Sequence, residues 1–197
     1  KIIKEALTLT GRELLVIDIE DSESDGGECL GKIDYETFIL EGGKTFPTGQ
    51  PVDEWQALSL LYTSGTTGNP KGCVYHHRGA YLNALGNMST MELNRDSVYL
   101  WTLPMFHCDG WTFTWAVTAA MGTHVCLRAV EPGAVFSSIA ENGVTHMCGA
   151  PIVMNMLANA PQEVKTQFSQ TVEIAPGGAA PPSAVIEAME TDVFHVT

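Results

Sequence analysis

From Trp55 onward, apolar and polar positions alternate in blocks that read as short strands and amphipathic helices in turn. Leu58 to Thr63 reads as a buried strand running into a glycine-rich loop. A helical stretch follows from about His77 to Leu93, then a strand from Val98 to Leu103. The pattern next predicts a helix near Gly110 to Met121 and a strand from His124 to Leu127. Pro132 opens a further helix that Gly143 closes, because proline is pre-set for a first helical turn and glycine tolerates the left-handed position after the last one. Strands at Val144 to Cys148, Thr171 to Ala175 and Val193 to Val196 alternate with helices at Ile152 to Asn159 and Pro182 to Glu190. Short apolar strands alternating with helices predict an α/β fold, a mostly parallel sheet covered by helices on both faces. In such sheets ligands collect beyond the carboxyl ends of the strands.

The first fifty residues are less regular. Leu14 to Ile19 reads as a short strand, Asp18 to Glu28 as an acidic solvated loop, and the Gly/Pro-rich passage Glu41 to Pro51 as a separator. The expected organisation is therefore an arm over residues 1–52, with no motif to assign, and a body over residues 53–197.

Composition narrows the classes. Hydrophobic residues make up 45% of the 197 positions and charged residues 17%, which predicts a globular chain. Twenty-three acidic and ten basic side chains give a formal charge of −13, which argues against a nucleic-acid binder that must neutralise phosphates. The same charge leaves ATP open, since backbone N–H groups and one lysine suffice to hold a phosphate. The five cysteines are scattered and contain no Cys-x-x-Cys pair, which predicts a reducing, cytoplasmic setting. No apolar run of 18 residues is present to span a bilayer, and no signal peptide opens the chain. The first residue is Lys1, so the expectation is a soluble piece of a larger protein, its oligomeric state left open.

The densest chemistry lies in Tyr62-Thr63-Ser64-Gly65-Thr66-Thr67-Gly68-Asn69-Pro70-Lys71-Gly72. Glycines let backbone N–H groups approach an anion, the hydroxyls of Thr63, Ser64, Thr66 and Thr67 add donors, and Lys71 adds a fixed charge. Pro70 before Lys71 and Gly72 after it depart from the kinase-type phosphate loop. Downstream come Tyr75 to Tyr81, then Leu103-Pro104-Met105-Phe106-His107-Cys108-Asp109-Gly110-Trp111, and then Gly177-Gly178-Ala179-Ala180-Pro181. His107 reads either as a group bordering a reacting carboxylate or as a satisfied core histidine. His76, His77 and Arg78 read as a packed helix start rather than a ligand site. Among Trp101, Phe106, Trp111, Phe113 and Trp115, core packing is the general expectation and Trp111 the candidate for a pocket wall.

These motifs, in this order, resemble the adenylate-forming (AMP-binding) superfamily of acyl-CoA synthetases, luciferases and peptide-synthetase adenylation domains. The His-His-Arg and His-Cys-x-Gly-Trp details look like bacterial medium-chain and methylmercaptopropionate-type CoA ligases, and plant acyl-activating enzymes look similar. The resemblance covers about residues 53–197 and implies part of a large N-terminal domain. It implies an enzyme of fatty-acid or related metabolism that uses ATP, Mg²⁺ and coenzyme A to activate a small-molecule carboxylic acid as an acyl-adenylate, then transfers it to the thiol. The alternatives are a carrier-protein loader and a non-catalytic nucleotide-binding module. It assigns the loop Ser64, Gly65, Thr66, Thr67, Gly68 and Lys71 to the β- and γ-phosphates, with Lys71 and His107 as catalytic groups. Thr63 falls near Mg²⁺, Gly177, Gly178 and Ala179 against adenine, and His107 with Trp111 around the acyl pocket. Asp109 departs from the Asn usual in such ligases, and an acid there would repel a substrate carboxylate unless paired or turned away. The Tyr-Gly-x-Thr-Glu segment, ribose Asp and lid Lys of the family have no match in residues 1–197, so this chain alone is expected to be inactive.

Overall fold

The computed structural model describes residues 2–24, 26–45, 49–63, 68–191 and 194–196. They form two units, Lys1–Gln50 and Pro51–Thr197.

In the first unit, helix α1 (Ile2–Thr10) precedes two two-residue strands, β1 (Ile17–Asp18) and β2 (Ile33–Asp34), paired in parallel. The predicted strand at Leu14 to Ile19 contracts to β1. The Asp18 carboxylate accepts from the backbone N–H groups of Leu30 and Gly31 at 3.2 and 2.8 Å, so side-chain bonding replaces a longer ladder. Asp34 caps helix α2 (Tyr35–Leu40) by accepting from the Thr37 N–H at 2.9 Å. Neither helix was evident in the sequence pattern.

In the second unit, β3 (Ala57–Thr63) and β4 (Lys71–His76) form an antiparallel hairpin. This corrects the expectation of a buried strand, because Leu58, Leu60 and Tyr62 are exposed. The two strands form a sheet of their own rather than joining the five-stranded one, so these side chains are not packed into the core. Seven residues separate Thr63 from Lys71, which fits an antiparallel hairpin, whereas a parallel neighbour needs a crossover of about a dozen residues or more.

Helix α3 (His77–Thr90) leads to β5 (Val98–Trp101), then α4 (Phe113–Ala119) and β6 (Thr123–Cys126). After α5 (Pro132–Asn142) come β7 (His146–Gly149), α6 (Pro151–Ala158), β8 (Val172–Pro176), α7 (Ser183–Thr191) and β9 (Phe194–Val196). The sheet order is β6-β5-β7-β8-β9, with every pair parallel. Pro132 opens α5, and Gly143 ends it at φ 62°, the left-handed cap expected of it.

Successive strand residues face opposite sides, and β5 shows both. Leu100 packs with Val135, Phe136, Ile139, Met154 and Leu157 on the side of α5 and α6. Tyr99 and Trp101 pack with Phe113, Ala116 and Val117 on the side of α4. The predicted two-faced α/β sheet is thus the core, and the loop after β5 carries the candidate site.

Candidate functional site

Hairpin register sets Thr63 opposite Lys71 at the neck of the glycine-rich loop. Directly opposed strand residues stand about 4.5–5.5 Å apart at Cα, so a hydroxyl and an ammonium face each other at the end of the hairpin. Ser64, Gly65, Thr66 and Thr67 lie outside the described residues. Gly68 sits at φ 149°, a conformation that L side chains rarely adopt.

The second motif holds the largest departure from the sequence reading. A helix was predicted from Gly110. Instead residues Cys108, Asp109, Gly110, Trp111 and Thr112 take φ values of 52, 51, 58, 55 and 64° in succession, a left-handed turn, before α4 begins at Phe113. Left-handed helical geometry costs L-residues about 1–2 kcal/mol each, so surrounding contacts must hold this turn. Gly110 is required at its centre, because a Cβ there would overlap the Trp101 ring. His107 precedes the turn at φ −104°, and its carbonyl accepts from the Gly110 N–H at 3.0 Å. Its side chain is exposed, which removes the core-histidine reading.

Three side chains tether the turn. Asp109 Oδ2 accepts from Ser59 Oγ at 2.6 Å, so the acid is paired with β3. From α3, Asn87 Nδ2 donates to the Trp111 carbonyl at 2.7 Å, and Asn83 Nδ2 donates to Thr112 Oγ1 at 2.7 Å. The turn borders a cleft of about 530 Å³ lined by Tyr75, His76, Asn83, Asn87, Cys108 and Trp111 among others. Burial raises the Tyr75 phenol above its ordinary range, and the nearby Cys108 side chain and Asp109 charge push the same way. The cleft floor therefore offers a neutral hydroxyl at ordinary pH.

Trp111, half-buried, spreads its indole over Gly177, where a Cβ would fall 2.7 Å from Cη2. Small residues at 177–179 were read as room for a flat base. At Gly177 the flat group is the indole. Gly178, at φ 82°, has nothing within 4 Å of its Cβ position, and it and Ala179 are exposed.

The structure thus pairs Thr63 with Lys71 and Trp111 with Gly177, and the Ser59–Asp109 bond links hairpin to turn. His76 and Arg78 behave as a helix start. His76 Nδ1 accepts from the Gly79 N–H at 3.0 Å, and Arg78 pairs with Glu54 at 2.7 Å. Trp101 and Phe113 are core residues. Asn83, Asn87 and Ser59 were missed. A signal existed for the asparagines, which with Ala80 and Ala84 follow the 80-83-84-87 spacing of one helix face.

Residues 4–196 match the family described as AMP-binding enzyme. The chain belongs to this family. The match takes in the first fifty residues, where no motif stood out. Similar curated proteins include an acetate/butyrate–CoA ligase of Arabidopsis thaliana, described as peroxisomal, 48% identical over 84% of this chain and 29% of its own length. An acetate–CoA ligase of Humulus lupulus is 48% identical with the same coverage, and a 2-methylpropanoate–CoA ligase of the same plant is 41% identical over 100% of this chain and 36% of its own. The chain thus spans about a third of the length of these relatives, which are plant proteins rather than bacterial medium-chain ligases. Among solved structures, the inhibitor-bound N-terminal domain of FACL13 from Mycobacterium tuberculosis superimposes with a TM-score of 0.74 at 25% identity, over 82% of this chain and 40% of that one. O-succinylbenzoate coenzyme A synthetase from Bacillus subtilis, in complex with ATP and magnesium ion, shares the fold with a TM-score of 0.68 at 22% identity, over 84% of this chain and 34% of that one. Among the described residues no helix is long and apolar enough to cross a membrane.

Proposed function

We propose that this chain is the nucleotide-binding part of an ATP-dependent acid–CoA ligase that activates a short-chain carboxylic acid as its acyl-adenylate and hands the acyl group to coenzyme A. The observation that carries the reading is the hairpin neck, which sets a hydroxyl opposite an ammonium across a glycine-rich loop in a chain of the AMP-binding family. Nucleotidyl transfer rests on positioning and charge neutralisation, which this arrangement suits. Lys71, with Ser64, Gly65, Thr66, Thr67 and Gly68, would hold the β- and γ-phosphates. Thr63 would ligate Mg²⁺, which neutralises phosphate charge when bound. Gly178 and Ala179 would meet the adenine, with Gly177 serving the indole beside it. His107 and Trp111 would border the reacting carboxylate.

The relatives named for acetate, butyrate and 2-methylpropanoate support a short aliphatic acid. Five free cysteines, three of them exposed, support a reducing compartment such as the cytoplasm. Carboxylate-dependent ATP–pyrophosphate exchange in the full-length protein tests the first step, with acetate, butyrate and 2-methylpropanoate expected to lead a wider panel. Acyl-CoA formation tests the second. No exchange with any carboxylate overturns the reading, and exchange without CoA acylation points to a carrier-protein acceptor instead. The 197-residue chain alone should give no acyl-CoA, since several electrostatic groups absent together cost far more than the roughly 10²–10³ of one.

A further inference from the structure

We propose that Asn83 and Asn87 are positioning residues that fix the left-handed turn at Cys108–Thr112 and, through it, set Trp111 as the wall that selects the acyl chain. The inference rests on the ligase reading above for its substrate class, and on geometry alone for the positioning. One helical turn apart on α3, the two asparagines present their amides on one face. Asn87 Nδ2 lies 2.7 Å from the Trp111 carbonyl and 3.1 Å from Thr112 Oγ1. Asn83 Nδ2 lies 2.7 Å from Thr112 Oγ1 and 3.5 Å from the Trp111 carbonyl. Two amides thus converge on the last two residues of a five-residue run of positive φ. Four of those five are not glycine, so the run needs outside support, and Thr112 is buried where a lost partner is not replaced by water.

The same asparagines line the cleft that Trp111 lines. Holding the Trp111 carbonyl on the α3 side directs the backbone so that the indole reaches Gly177. Released from that hold, the turn can relax toward right-handed geometry, which carries the indole off Gly177 and changes the depth of the cleft. The phosphate-loop neck at Thr63 and Lys71 is tied to the turn through Ser59, whose bond to Asp109 involves neither asparagine, so the neck keeps its register. The inference therefore separates two properties: acyl preference follows the asparagines, and ATP use does not.

Asn87→Leu in the full-length protein keeps the side-chain shape and removes the donor. Across a carboxylate series, the ratio of kcat/KM for longer over shorter chains should change about tenfold, the size of one lost hydrogen bond to a group left unmatched. The KM for ATP should move by about twofold at most. In a Trp111→Ala background, Asn87→Leu should shift the profile no further, because its effect runs through the indole. Fluorine NMR of fluorotryptophan-labelled protein, with the Trp111 signal assigned by its loss in Trp111→Ala, supplies a readout free of activity. That signal should move in Asn87→Leu while that of Trp55, which packs against His76 away from the turn, stays. An equal loss for every carboxylate with a lowered melting temperature, or an unmoved Trp111 signal, overturns the proposal. If the wild-type protein shows no carboxylate-dependent exchange, the ligase reading fails, and the Trp111 signal still decides the positioning role.

Discussion

Gly177→Ala probes the contact that seats the Trp111 ring. Gly177 is buried, and its N–H donates to the Gly149 carbonyl at 2.8 Å. A Cβ there would stand 2.7, 3.1 and 3.4 Å from three carbons of the Trp111 ring. Non-bonded carbons settle at about 3.5–4.0 Å, so the indole must retreat by roughly 1 Å. Overpacking of this kind costs about 1–3 kcal/mol. Each kcal/mol lowers the melting temperature by about 2–4 °C in a domain of 150 residues or more, so a fall of roughly 2–12 °C is expected. Thermal unfolding of the full-length protein, its single variants and the double variant isolates the cause. In a Trp111→Ala background the obstruction is gone, and Gly177→Ala should become neutral or slightly stabilising, since alanine restricts the unfolded chain by about 0.4–1 kcal/mol. Trp111→Ala alone should also shift the preferred carboxylate toward longer or bulkier chains with ATP affinity kept. An equal fall in melting temperature in both backgrounds would refute the Trp111–Gly177 contact as the reason for glycine at this position.

Lys71→Ala should slow adenylate formation about ten- to a hundredfold, the worth of one charge-assisted contact, with an unchanged melting temperature because Lys71 is exposed at the start of β4; ATP–pyrophosphate exchange reads the first and thermal unfolding the second. Thiol titration of the native 197-residue chain should find Cys29, Cys73 and Cys126 reactive and Cys148 protected until unfolding, since burial pushes the Cys148 thiol up to about 12 and only the thiolate reacts. Burial holds His146 below its ordinary pKa, so the unfolded chain takes up the proton first and stability falls as pH drops through about 6.5; His146→Gln should flatten that fall when urea midpoints at about pH 8 and about pH 5.5 are compared.

The parallel sheet was legible because each of its strands announces itself locally. Val98 to Trp101, His146 to Gly149 and Val172 to Pro176 are short apolar runs, and Pro132 and Gly143 bracket a helix by backbone chemistry alone. The hairpin was misread because apolarity in Leu58, Leu60 and Tyr62 looks the same on a strand that is covered and on one that is not. The count of residues between Thr63 and Lys71, which forbids a parallel crossover, was the better guide. Helix α2 was missed because what starts it is a single Asp34 cap over a six-residue segment, too short for a periodic pattern.

The left-handed turn shows a different limit, and Asp109 makes it concrete. As a residue type, an acid beside a carboxylate pocket signals repulsion. In the fold its Oδ2 is committed to Ser59 Oγ at 2.6 Å, from a strand fifty positions earlier, while its backbone sits at φ 51°, a conformation that Asp tolerates better than most side chains. A hydroxyl donor on β3 holds the carboxylate in place, while the Asn83 and Asn87 amides hold the end of the same turn from α3. The acid is a tether. That role cannot be read from Asp109 and its neighbours, because the handedness of the turn depends on partners on β3 and α3 that only the folded chain brings to it.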